Sequence, residues 1–239
     1  MDNCKNCTTA ITGKYCSNCG QPAQLKRIDA HYILHEIEHV LHFERGILYT
    51  MRELLLHPGK NIRAYLSENR SRLVKPILFI VMSSVIYTLV SHFFHIEDGY
   101  INYTEVKESS ITVMFGWIQS HYGYANIIMG VFIAGWLKLF FRKYNYNLFE
   151  IVILLCFLIG MGMLMLTLGA LIEGITKISM MKSFTVVIIA YTVWAIGQFF
   201  DKKKPLSYIK AFFSYMLGLL TFGIAIVFLG IAIDLIFKK

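Results

Sequence analysis

Twenty-five consecutive residues in the middle of the chain, LFEIVILLCFLIGMGMLMLTLGALI at 148-172, hold a single charged side chain, Glu150 near their start. Crossing about 30 Å of hydrocarbon takes about 20 helical residues. Five stretches of this chain are apolar for roughly that long: 76-95, 123-141, 148-172, 183-200 and 208-236. Their apolarity is continuous rather than alternating, and each is about twice the length of a barrel strand, so they read as helices. At 56% hydrophobic and 16% charged residues, with mean hydropathy +0.55, the chain is too apolar for an ordinary soluble domain. The expected partner of this surface is the lipid bilayer.

Orientation follows from the cations. Eleven Lys and Arg precede residue 76, the segment 96-122 has only Lys107, and Lys202, Lys203 and Lys204 cluster after the fourth span. Cationic loops stay on the cytoplasmic side, so the expectation is five spans with the N-terminus inside and the C-terminus outside. The loop 96-122, carrying Glu97, Asp98, Glu105 and Glu108, then faces outward. Lys138 and Lys210 near the inner span ends are expected to snorkel. The first 25 residues have no apolar signal-peptide core, which leaves the first span to act as the insertion signal.

Residues 1-26 carry the most specific motif, Cys4-Lys-Asn-Cys7 and, eight residues on, Cys16-Ser-Asn-Cys19-Gly20-Gln21. Two such pairs joined by a short β-ribbon can place four thiolates around one Zn²⁺, and Gly20 suits the tight turn after the second pair. The alternatives are a disulfide pair or redox dithiols, and the cytoplasmic side assigned above disfavours stable disulfides. Cys4, Cys7, Cys16 and Cys19 are thus expected to bind a structural zinc that folds a module too small for a core of its own. Lys5, Lys14, Lys26 and Arg27 are scattered, so a nucleic-acid partner is disfavoured.

Residues 27-75 have helical periodicity and mixed charge. Ile33, Leu34, Ile37, Val40 and Leu41 share one face of a first helix, opposite a stripe of His31, His35, His39 and His42. A second amphipathic stretch, with Ile47, Leu48, Met51, Leu54 and Leu55, ends at Pro58-Gly59, and a third has Ile62, Tyr65 and Leu66. This linker is expected on the cytoplasmic face, either lying in the lipid interface or, preferably given its six acidic residues, packed on the span ends.

The order C-x-x-C, C-x-x-C-G-Q, "LHEIEHVLHFERG", "LYTMRELLLHPGKNIRAYL" and "KPILF" resembles an uncharacterised bacterial, Bacteroidetes-type family known only as a domain of unknown function. The resemblance covers about residues 1-95. It implies a zinc ribbon, an amphipathic linker and a multi-pass membrane region, which hydropathy places at 76-239, and it carries no activity to transfer; the expected location is the bacterial inner membrane.

His35-Glu36-Ile37-Glu38-His39 also fits the H-E-x-x-H signature of zinc peptidases. His35 and His39 at i and i+4 could share a metal while Glu36 activates its water. A third ligand from the same straight helix is awkward, so Glu53, His57 or Glu68 would have to fold back. The histidines therefore read first as a solvated stripe, with a second metal site or a peptidase as alternatives. Met161, Met163 and Met165 do not align on a helix face and read as packing. Gly160, Gly162, Gly169, Gly174, Gly218, Gly223 and Gly230 read as sites of close helix approach. Glu150, Glu173, Asp201 and Asp234 fall near span ends, which argues against a mid-membrane transport carboxylate. The functional expectation is a non-enzymatic membrane-anchored adaptor or sensor that recruits a cytoplasmic protein. The alternatives are a peptidase on His35, Glu36 and His39, and a transporter or channel formed by a homo-oligomer.

Overall fold

The computed structural model describes residues 9–10, 13–15, 17–18, 46–68, 70, 72–96 and 110–237. The chain divides into two compact units, Met1–Glu44 and Arg45–Lys239. In the first, Ala10 and Tyr15 occupy isolated β-bridge positions, and Asn18 Nδ2 donates to Thr9 Oγ1 at 3.5 Å.

The described part of the second unit is helical. Two short helices, α1 (Ile47–Leu56) and α2 (Pro58–Ser67), precede α3 (Pro76–Phe93), α4 (Ser110–Ser120), α5 (Tyr122–Phe140), a 3-10 turn at Arg142–Tyr144, α6 (Leu148–Thr176), α7 (Met181–Asp201) and α8 (Pro205–Phe237). Five of these, α3 and α5 to α8, are long and apolar enough to cross a membrane. They begin and end within a few residues of the five apolar stretches of the sequence, because helix is the form that satisfies every main-chain group within one segment.

The most buried span is α6, with 72% of its apolar window covered, and α3, α5 and α7 pack around it, while α8 packs on α5 and α7. Close approach is made at glycine, where a Cβ would strike a neighbour: Gly160 meets Phe79 and Ile80 of α3, and Gly174 meets Phe94 just beyond α3. Both contacts pair residues at the same offset, so α3 and α6 run parallel. Gly162 on Ile188 and Gly169 on Phe184 bring α7 back antiparallel to α6. On the far side Gly218 of α8 meets Ile133 of α5, and Trp136 Nε1 donates to Thr221 Oγ1 at 3.2 Å. Gly223 has open space where its side chain would be, so of the seven glycines read as contact points it alone does not act as one.

The register of α3 on α6 leaves a gap. Pro76 is level with Cys156, eight residues into α6, so α3 begins about 12 Å further along the bundle than its parallel neighbour. The space beside the first two turns of α6 is filled by α1 and α2.

The segment 96-122, read from sequence as a loop, contains a helix instead. Eleven residues are too few to span a membrane, and α4 packs mainly against α8, where Ile111 lies on Gly230, with a smaller contact to α5. Only His121 separates it from α5, and together the two form a long antiparallel partner for the 33-residue α8.

Candidate functional site

The turn between α1 and α2 is set by Pro58. A helix continuing through residue 58 would offer an N–H to the carbonyl of Leu54, and proline has none. Tyr191 of α7 supplies the missing donor: its hydroxyl lies 3.0 Å from Leu54 O, and both residues are buried. The carbonyl of Glu53 receives the N–H of His57 at 3.0 Å and Asn61 Nδ2 at 2.8 Å, and the same amide group donates to His57 O at 3.1 Å. Buried Asn61 thus closes the C-terminus of α1 from within α2.

The second helix in turn closes α7. Arg63 Nη1 donates to Gln198 O at 2.7 Å and to Phe199 O at 2.6 Å, two last-turn carbonyls without intrahelical partners. A cation at the negative end of the helix dipole adds to these bonds. The approach is close enough that a Cβ on Gly59 would fall onto the main chain of Gln198. Tyr65 packs edge-on against Phe157 at 5.2 Å, and its burial pushes the phenol pKa up, opposed by Arg70.

On the other side of α1, Thr50 Oγ1 accepts the N–H of Val74 at 3.1 Å, fixing the chain just ahead of α3. Arg72 forms an ion pair with Glu53 at 2.9 Å and donates through Nε to the Tyr49 hydroxyl at 3.0 Å. The tyrosine bond is the main reason the Arg72 guanidinium holds its proton even more firmly than usual. The polar groups of the hairpin that turn inward are therefore bonded to the bundle or to one another, as irregular main chain near a bilayer requires.

Near the span ends the carboxylates serve as caps. Glu150 forms a reciprocal pair with Asn147 at the start of α6, each bond 2.8 Å. Glu173 Oε2 accepts the N–H groups of Met180 and Met181 at the start of α7, at 2.8 and 3.2 Å. Asp234 accepts from Ser110 N at 3.1 Å and Ser110 Oγ at 2.6 Å, capping α4, and Asp201 pairs with Lys204 at 3.0 Å. Lys138 and Lys210, read as snorkelling, donate to Tyr146 O at 2.5 Å and Phe140 O at 3.4 Å.

Cys4, Cys7, Cys16 and Cys19 lie outside the described residues, as do His31, His35, Glu36, His39 and His42. Among the described residues no group of three or more His, Cys, Asp or Glu is placed to hold a metal ion. Of the side chains considered as a third ligand to the histidine pair, Glu53 is engaged by Arg72, and His57 and Glu68 are exposed. Cys156, Met161 and Met163 are buried in the packing of α6. Tyr191, Asn61 and Arg63 were not singled out from sequence. Pro58 was the available signal, since a proline four residues after a helical carbonyl leaves that carbonyl in need of another donor.

Residues 44–88 match the family described as Protein of unknown function (DUF3667). The matched segment holds the hairpin that fills the gap beside α6, the turn pinned by Thr50 and Arg72, and most of α3. No curated protein and no solved structure matches the chain.

Charge is concentrated at the hairpin end. Among the described residues of the second unit, that end carries Arg52, Lys60, Arg63, Arg70, Arg72 and Lys75 before α3, Lys138, Arg142 and Lys143 around the end of α5, and Lys202, Lys203, Lys204 and Lys210 at the turn into α8. Glu53, Glu68, Glu150 and Asp201 are the acids there. The opposite end has Lys177 and Lys182 with Glu173 and Asp234.

Proposed function

We propose that this protein is a membrane-anchored adaptor or sensor, with a zinc ribbon in the cytoplasm that recruits a cytoplasmic protein to a five-span bundle. The observation that carries the reading is the one-sided charge of the bundle: among the described residues, thirteen cations against four acids at the end that carries the hairpin. By the positive-inside rule that end is cytoplasmic. A thiolate-rich N-terminus on that side would meet reducing conditions, in which two C-x-x-C pairs bind zinc rather than form disulfides. The bridge positions of Ala10 and Tyr15 and the Thr9–Asn18 contact support a short ribbon between the two cysteine pairs. The bundle's ionisable groups support anchoring, since Arg63, Glu150, Glu173 and Asp234 are each engaged in capping a helix.

Zinc stoichiometry of the purified full chain tests the reading. One equivalent is expected, lost in Cys16→Ser and kept in His35→Ala/His39→Ala. Two equivalents, one of them lost with the histidines, would favour the peptidase alternative, to be followed by Glu36→Gln in a proteolysis assay. In-cell crosslinking should then capture a cytoplasmic protein with the wild-type chain and not with Cys16→Ser. Equal capture by both would refute the ribbon as the recruiting element.

A further inference from the structure

The outward face of α1 carries leucines. Leu48 is 75% exposed, Leu56 53% and Leu55 45%, with exposed Arg52 in the same stripe at helical spacing. On a water-facing surface three such leucines on one ten-residue helix would each leave apolar area in water at about 25 cal/mol per Å². The position of α1 along the bundle offers another solvent. Its middle is tied to Val74, two residues ahead of α3, and its C-terminus to the hydroxyl of Tyr191. It therefore lies level with the first residues of α3.

That level is a membrane boundary. α3 has 18 residues, about 27 Å of helix, and to cross a hydrocarbon layer of about 30 Å it must use its whole length. The hydrocarbon on the hairpin side therefore begins close to Lys75–Pro76. Arg52 and Lys75 are both exposed, and neither has an acidic partner among the described residues. A short helix at the boundary, with leucines outward and unpaired cations beside them, has the character of an interfacial amphipathic helix.

We propose that the outward face of α1 is embedded at the headgroup–acyl boundary of one leaflet, with Leu48, Leu55 and Leu56 among acyl chains, and that Arg52 and Lys75 bind the phosphates of anionic phospholipids. The inner face of the hairpin seals the gap beside α6, and its outer face meets the boundary layer next to the first residues of α3. This inference does not depend on the N-terminal unit or on any recruited partner.

The test uses the full chain in nanodiscs of phosphatidylcholine and phosphatidylglycerol in equal parts. A benzophenone side chain at position 48 or 55 is photolysed, with exposed Phe228 of α8 as the lipid-facing reference. Lipid adducts at 48 and 55 at a yield comparable to that at 228 are expected. Adducts at 228 with none at 48 and 55, or adducts at 48 and 55 to protein instead of lipid, would overturn the embedding. The anionic preference is read separately, as enrichment of phosphatidylglycerol over phosphatidylcholine in lipid retained on the otherwise unmodified chain. It should fall about fivefold for each charge removed in Arg52→Gln and Lys75→Gln. Retention in the bulk ratio by the wild-type chain, or enrichment unchanged in the double variant, would overturn the phosphate contacts.

Discussion

Replacing Tyr191 with Phe deletes one oxygen and keeps the ring that packs beside Trp194 at 6.0 Å. The oxygen is the donor to Leu54 O at 3.0 Å, and because residue 58 is proline the carbonyl has no helical donor to fall back on. Leaving a buried acceptor unsatisfied costs about 1–3 kcal/mol. This exceeds the about 0.6 kcal/mol typical of side-chain bonds between spans, where partners are readily exchanged. The bond joins the hairpin to α7, so its loss should favour local opening of α1 and α2 over unfolding of the spans. At 1.4 kcal/mol per factor of ten, the opening equilibrium should rise about five- to 150-fold. Hydrogen exchange with mass spectrometry in detergent reads this as faster exchange across 49–57, with the interior of α6 unchanged. Unaltered protection in 49–57 would refute the argument that Pro58 makes this carbonyl dependent on Tyr191. Equal loss across α1 and α6 would refute the hairpin as a separately opening unit.

Arg63→Met removes two charge-assisted bonds to the end of α7 and should lower stability by about 1.5–3 kcal/mol in a denaturant titration, with Arg63→Lys intermediate because an ammonium lacks the planar fork. Gly59→Ala drives a methyl group into the main chain of Gln198 and should cost roughly 1–3 kcal/mol, whereas Gly135→Ala, with nothing within 4 Å of its Cβ, should leave the same unfolding midpoint unchanged or raised. Asp234→Ala removes the cap of α4 and should cost about 1 kcal/mol, seen as faster exchange in the first turn after Ser110 with no change in the hairpin.

Some of the candidate site could be read in the sequence. The pattern Ile47, Leu48, Met51, Leu54 and Leu55 announces an amphipathic helix, and Pro58-Gly59 announces its end, because a missing N–H and a missing Cβ act locally. The same pattern does not say which apolar residues face protein. Leu54 is fully buried while Leu48 and Leu55 are exposed, a division made by how α1 is rotated against α7 and Val74. Arg63 reads in sequence as one cation among many, and only the arrival of the end of α7 beside it makes it a cap.

The sequence by itself determined which segments are long and apolar enough to cross a membrane and their approximate limits, since the transfer of a 20-residue apolar segment into hydrocarbon depends on that segment alone. It also determined which end of the bundle is cationic, because charge is additive along the chain. The tertiary structure alone decided the parallel register of α3 on α6, the gap this opens, the docking of the hairpin in it and the folding of α4 along α8. Each of those depends on which side chains meet across helices far apart in sequence, such as Gly160 with Phe79 or Asp234 with Ser110, and no local pattern encodes the partner of a contact.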